Sequence, residues 1–77
     1  MIFKMKCHEQ PRYTFGRILY IETSKIVFIE TPGPDGNPPG WPVDFSAFVI
    51  LDGTSNAVGL TAAQWRKLQS ILEIIPE

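Results

Sequence analysis

The twelve residues TPGPDGNPPGWP, from Thr31 to Pro42, constrain the fold of this chain more than any other segment. They contain five prolines and three glycines. The prolines fix φ and remove N–H donors that a helix or a central strand needs, while the glycines permit turns. We therefore predict a stiff, kinked loop without ladder hydrogen bonds, whose tip is Asp35-Gly36 or Gly36-Asn37. At 77 residues, the chain on both sides of this loop forms one small domain.

The segments around the loop have the patterns of β-strands. Apolar Phe3, Met5 and Cys7 alternate with Lys4, Lys6 and His8, which predicts a half-exposed strand. Four further runs are rich in aromatic and β-branched residues, and the first two, separated by Glu22-Thr23-Ser24, predict a hairpin. These runs are Arg12–Glu22, Lys25–Glu30, Val43–Leu51 and Ala57–Leu60.

The last part of the chain has the pattern of an amphipathic helix. Thr61 and Gln64 have the spacing of a capping box, and Leu60 can pack against Trp65 as a hydrophobic staple. Apolar residues then recur at spacings of three or four until Pro76, which predicts about four helical turns. These residues are Trp65, Leu68, Ile71, Leu72 and Ile75.

The predicted fold class is α+β, with a four- or five-stranded antiparallel curved sheet followed by one C-terminal amphipathic helix, in a single domain covering residues 1–77. A helix roughly 10 Å across covers only two or three strands that lie about 4.8 Å apart, and on one face only. The other apolar face needs a second cover. Either the sheet curls into a small barrel, or the face packs on a second copy or another protein, and we expect a homodimer.

The segment from Ala57 to Leu68 resembles the last strand and helix start of the transcriptional positive cofactor four family. The matching residues are Val58, Leu60, Thr61, Gln64, Trp65, Lys67 and Leu68. The resemblance implies a curved antiparallel sheet followed by a helix, homodimerisation through the helical region, and single-stranded DNA binding on the sheet. The chain departs from the family pattern between Asp52 and Leu60, where the family is rich in lysine and arginine and this sequence has neither.

Basic and aromatic residues interleave between Arg12 and Arg17. Such a pattern suits stacking of exposed bases beside phosphate contacts, and it predicts a single-stranded nucleic-acid site. The alternative is that the aromatic residues fill the core and the arginines are solvated, which the net charge of −1 favours. Lys4 and Lys6 can join this site from a neighbouring strand, so the predicted site residues are Lys4, Lys6, Arg12, Tyr13, Phe15 and Arg17.

The Pro/Gly loop carries a second predicted site. Trp41, with Pro38 and Pro39, either anchors another protein or folds back over an edge of the sheet. On the first alternative the chain is a protein–protein interaction module that uses the apolar sheet face together with this loop. Compact inhibitors and adaptors of the kind that small phage or bacterial genes encode are examples.

The residues of classical catalytic and metal sites are scarce. The single cysteine, Cys7, and the single histidine, His8, are adjacent, so on a strand they point to opposite faces. We therefore expect no enzymatic activity, no metal and no cofactor. The lone cysteine and the absence of a long apolar run predict a cytoplasmic protein without a membrane segment.

Overall fold

The computed structural model of the chain describes residues 1–53 and 57–73. Within these residues the chain forms five strands, a short 3₁₀ turn between the second and third strands, and one helix. The elements are β1 (Ile2–Lys6), β2 (Ile18–Glu22), β3 (Ile26–Glu30), β4 (Ala47–Leu51), β5 (Ala57–Leu60) and α1 (Ala62–Leu72).

The strands form two antiparallel sheets, so the prediction of a single curved sheet is wrong. β1 pairs with β2, and the other sheet has the order β3-β4-β5. The predicted hairpin between β2 and β3 is wrong for the same reason. At the 3₁₀ turn Thr23–Lys25, the Thr23 N–H donates to the Met1 carbonyl at 2.9 Å, whereas the Lys25 carbonyl accepts from the Asp52 N–H at 2.7 Å. The turn therefore passes the chain from one sheet to the other.

The inner faces of both sheets share one core with the helix. The predicted alternation in β1 is confirmed, because Phe3, Met5 and Cys7 are buried while Lys4 and Lys6 are exposed. The other members of the buried cluster lie on β2, β4, β5 and α1. They are Ile21, Ala47, Val49, Val58, Leu60 and Leu68. Each sheet is thus covered on its inner face by this common core.

Two glutamine side chains join the N-terminal segment to the last strand and the helix. The Gln10 side chain accepts from the Gly59 N–H at 2.6 Å and donates to the Gly59 carbonyl at 3.3 Å. β5 is an edge strand, so this amide satisfies backbone groups that its neighbour β4 does not reach. The Gln64 amide donates to the Lys6 carbonyl. Both contacts connect segments that are distant in sequence.

The start of the helix is as predicted, and its end is not. Thr61 is the N-cap, and its side chain and that of Gln64 form the predicted capping box. The helix ends at Leu72, about three turns long. Glu73 then has φ 57°, and its N–H donates to carbonyls of the last turn. This left-handed residue ends the helix before Pro76, which lies outside the described residues together with Ile75.

The Pro/Gly segment forms an irregular loop, as predicted. Its tip is a turn in which the Gly36 N–H donates to the Gly33 carbonyl at 3.2 Å. A further turn, closed by the Phe45 N–H and the Pro42 carbonyl at 3.2 Å, precedes β4. The predicted strand from Val43 therefore begins only at Ala47.

In the described part of the chain, α1 is too short and too polar to span a lipid bilayer.

Candidate nucleic-acid interface

The outer face of the β1–β2 sheet is defined by the register of its two strands. Lys4 is opposite Tyr20, and Lys6 is opposite Ile18. Directly opposite residues on antiparallel strands lie on the same face of the sheet. Because Phe3, Met5 and Ile21 point into the core, the alternate residues must point outward. We call this surface the outer β1–β2 face; it comprises Ile2, Lys4, Lys6, Ile18, Tyr20 and Glu22, with Phe15 beside Lys6.

Two lysines on this face lie over two exposed aromatic rings. The Lys4 Nζ is 5.9 Å from the centroid of the Tyr20 ring, and the Lys6 Nζ is 5.7 Å from the centroid of the Phe15 ring. Both distances are within the range of a cation–π interaction. Phe15 is 67% exposed and Tyr20 is 66% exposed. The face therefore presents aromatic surface and positive charge together.

The acidic residue of this face is already paired. The Glu22 Oε1 accepts from the Met1 amine at 2.7 Å and from the Ser24 N–H at 3.4 Å. The ammonium group, followed by the Ser24 N–H, lowers the pKa of Glu22 from its ordinary value. The carboxylate is therefore ionised and matched by a cation at neutral pH. The net charge of the face is therefore positive and comes from Lys4 and Lys6.

The structure brings together three of the six residues predicted from the basic and aromatic pattern, namely Lys4, Lys6 and Phe15. Two others form a pair of their own, because the Arg17 guanidinium lies 5.9 Å from the centroid of the Tyr13 ring. The Arg17 carbonyl accepts from the N–H of the buried Cys7, which places this pair at the end of the β1–β2 ladder.

The two aromatic residues of the pattern have different environments. Tyr13 is partly buried and packs against the core, as the core-filling alternative predicts, whereas Phe15 lies in solvent. The sixth residue, Arg12, is exposed in a tight turn closed by hydrogen bonds between Gln10 and Tyr13, both 3.1 Å long. Phe15 thus has the exposure that base stacking requires.

Sequence reasoning missed Tyr20 as a site residue. The predicted hairpin paired the strand of Tyr20 with β3 instead of β1. The alternation of β1 predicted its exposed face, but β2 has apolar residues on both faces, so no local pattern indicated that the two strands pair. Pairing these two strands places Tyr20 directly opposite Lys4.

The predicted partner-binding residues of the Pro/Gly loop have two different environments. The Trp41 Nε1 donates to the Phe45 carbonyl at 2.8 Å, and the indole lies edge-on to Phe48 with ring centroids 5.1 Å apart. Trp41 is thus folded back on the three-stranded sheet. Pro38 and Pro39 are exposed.

Phe45 extends this cover over the last strand. Its ring is buried, and its centroid lies 5.3 Å from that of Phe48. At Gly59, which is paired with Phe48, an added Cβ would lie only 2.7 Å from the Phe45 ring. Glycine is therefore required for the ring to lie on this part of the sheet.

Cys7 and His8 have different environments. Burial raises the pKa of the Cys7 thiol, with a smaller opposing effect from Arg17. The His8 Nε2 lies 3.5 Å from Asp44 Oδ2, and its ring is edge-on to Phe15 and Phe45. Residues 1–53 and 57–73 contain no group of three His, Cys, Asp or Glu side chains arranged to hold a metal ion.

Comparison with known proteins gives no family assignment. No protein-family model matches the chain, and neither the curated proteins nor the solved structures give a significant match. The resemblance of residues 57–68 to the cofactor family stays a prediction. The case for a site rests on the geometry of the outer β1–β2 face.

Proposed function

We propose that this chain is a small non-enzymatic module that binds single-stranded nucleic acid on the outer β1–β2 face. One observation carries the proposal: two solvent-exposed aromatic rings on one face, Phe15 and Tyr20, each have a lysine ammonium within 6 Å of the ring centroid. Exposed aromatic rings stack with unpaired bases, and lysines neutralise the phosphates beside them.

The strength of the interaction follows from the size of the site. Stacking contributes about 1–3 kcal/mol per base, and two rings supply two such contacts. The paired Glu22 carboxylate adds no net repulsion, since the Met1 amine neutralises it. The net charge of the whole chain is −1, so long-range attraction is small. We expect weak binding that decreases as salt increases.

Titration of a fluorescein-labelled 12-nucleotide single strand, followed by anisotropy at low and at physiological salt, tests this proposal. Binding is expected at low salt and is expected to weaken at higher salt. Phe15→Ser should reduce it several-fold. The matched control is Val43→Ser, which removes another apolar side chain, 85% exposed, from outside the face.

A second pair of variants tests the role of charge. Lys6→Met should weaken binding, whereas Lys67→Met, which removes an exposed lysine from α1, should not. Absence of binding by the wild-type protein at low salt would refute the proposed function. Equal effects of the two lysine variants would show that binding is not localised on this face.

Protein–protein interaction through the Pro/Gly loop is the second candidate function. The favouring observation is that residues 33–40 are all exposed and Val43 adds an exposed apolar side chain next to them. In this candidate function Trp41 holds the loop against the sheet and does not itself contact the partner. Pull-down from lysate before and after nuclease treatment separates the two candidates. A partner retained after nuclease and lost in a Pro38→Ser, Pro39→Ser variant would favour the loop.

Homodimerisation is part of the proposal in either case. Val27 and Phe28 of β3 are exposed at an edge of the three-stranded sheet, where a second copy has apolar surface and strand backbone to bind. Light scattering measures the subunit number directly. A monomer at all concentrations would remove the dimer from the proposal without affecting the nucleic-acid site.

A further inference from the structure

The two lysine–aromatic pairs of the outer β1–β2 face have the geometry of two repeated binding units. We infer, on the basis of the proposed function, that each pair binds one nucleotide, so that the face holds two adjacent nucleotides without reading their bases. In each unit the ring stacks with the base and the lysine contacts the neighbouring phosphate.

The units are repeated along the strand. Lys4 and Lys6 are two residues apart on β1, which separates their Cα atoms by roughly 6.8 Å on the same face. Tyr20 is directly opposite the first lysine, and Phe15 lies beside the second. Ile18, opposite Lys6, lies between the two rings along the chain and is itself partly exposed. Two rings and two cations therefore follow one direction along the sheet.

When a nucleotide binds, each unit loses its lysine–ring contact and gains two others, one between the ring and the base and one between the lysine and a phosphate. In the free protein, the lysine ammonium is placed over the ring where a base would stack. The base takes that position, and the ammonium moves on its flexible four-carbon stem to a phosphate oxygen. The two side chains of a unit therefore act together, and their substitutions should not be additive.

The composition of the face explains why bases would not be distinguished. The most specific readers of a base edge make two hydrogen bonds at once, as the amide of Asn or Gln and the forked donors of Arg do, and we assign the two lysines of the face to phosphates. The seven residues of the outer β1–β2 face include no Asn, Gln or Arg. Its carboxylate, Glu22, is held by the Met1 amine and the Ser24 N–H. Stacking and phosphate contacts remain, and both tolerate any base.

The salt dependence of binding measures the number of phosphates directly. For a single strand, log K falls against log salt with a slope of about −0.7 per phosphate contacted, so two contacts give a slope of about −1.4. Lys4→Met should reduce the slope to about −0.7, and Lys67→Met should leave it unchanged. The probes are labelled oligonucleotides of dT, dA and dC, with dT also in lengths from two to eight nucleotides.

Four results would support the inference together. The slope should match two phosphates, the three homopolymers should bind within about threefold of one another, and affinity per site should stop rising after two or three nucleotides. The double variant Lys6→Met, Phe15→Ser should lose less affinity than the product of the single losses. Each variant is compared with the wild type by thermal unfolding, which confirms that it is folded.

Other results would overturn it. A slope that Lys4→Met leaves unchanged, or a more than tenfold preference for one base, would refute the two-unit site while leaving nucleic-acid binding intact. Absence of binding to every oligonucleotide at low salt would refute the proposed function and this inference with it. The two failures are therefore distinguishable.

Discussion

The outer faces of the two sheets differ in how their aromatic residues are covered. On the three-stranded sheet, Phe48 is covered by Trp41 and Phe45, which come from the loop and turn before β4, whereas Phe28 on the edge strand β3 is exposed. On the two-stranded sheet, Phe15 and Tyr20 are exposed, each with a lysine ammonium over its ring, and Phe15 also contacts the His8 ring. The first arrangement is hydrophobic packing, and the second is compatible with a ligand that replaces the lysines.

This difference shows how a small domain separates stability from binding. The Pro/Gly segment places Trp41 on one outer face, where its Nε1 is satisfied by the Phe45 carbonyl. Substitutions on that face should change the free energy of unfolding. Substitutions on the outer β1–β2 face should change binding and leave stability nearly unchanged.

The largest expected effect is that of Phe45→Ala. Phe45 is 7% exposed, and its ring packs against Gly59 and Phe48. Loss of a buried phenyl group costs about 3–5 kcal/mol, which is most of the stability of a domain of this size. Urea unfolding followed by tryptophan fluorescence measures the loss. If the alanine variant is unfolded, Phe45→Leu should be folded with a smaller loss. A loss below about 1 kcal/mol for Phe45→Ala would contradict the packing described for this face.

Gly59→Ala should have the next largest effect. The added methyl group would lie 2.7 Å from Cδ1 of Phe45, so the ring or the strand must move. Overpacking of this kind costs about 1–3 kcal/mol. The same substitution in a Phe45→Leu background should cost less, because the ring is absent. Equal costs in both backgrounds would show that the ring is not the obstacle. Gly53→Ala is not a suitable control, since Gly53 has φ 82°.

Phe15→Ser should change stability little. The side chain is mostly in solvent, and its ring contacts are with Lys6 and the edge of His8. The expected change is within about 0.5 kcal/mol in urea unfolding. Tyr20→Ser is a parallel variant on the same face. A loss as large as that of Phe45→Leu would show that the outer β1–β2 face has a structural role instead.

The smallest expected effect is the pH dependence contributed by Glu22. Its pKa in the folded chain is lowered by the Met1 amine and the Ser24 N–H. The stabilisation is therefore present above the ordinary glutamate pKa and is lost as pH falls through the lowered folded pKa. Glu22→Gln should lower the melting temperature at pH 7 and have no effect below that lowered pKa. Glu30→Gln, at the end of β3, is the control. A difference that persists in strong acid would exclude the ion pair as its cause.

Local patterns in the sequence predicted most of the elements correctly. The alternation of β1, the irregular Pro/Gly loop, the fifth strand and the capping box at Thr61 each depend on neighbouring residues, and each is present. The division into two sheets depends on distant partners. Lys25 bonds to Asp52, and Gln10 bonds to Gly59, and no local pattern indicates either contact.

The same limit explains what was predicted of the site. Phe15 was predicted from the interleaved basic and aromatic residues between Arg12 and Arg17, and Lys4 and Lys6 were added as residues of a neighbouring strand. These three do share one surface. Tyr20 was not among the predicted site residues, because its strand was predicted to pair with β3. Arg12 and Tyr13 matched the pattern, yet the tight turn after Gln10 takes them away from the outer β1–β2 face. The residue types indicated a basic and aromatic site, whereas the strand pairing determined which of these residues lie on the same face.

The contact between Gln10 and Gly59 has a consequence for the order in which the chain folds. A strand made of residues near the C-terminal end obtains hydrogen bonds from a side chain 49 positions earlier. Contacts of such long range delay folding, because the intervening chain must be closed first. Among the strands of the described residues β5 comes latest in the chain, and until Gln10 reaches it the backbone of Gly59 can pair with another chain. A Gln10→Ala variant leaves the backbone of Gly59 unpaired at this edge of β5, so it should aggregate more readily than the wild type.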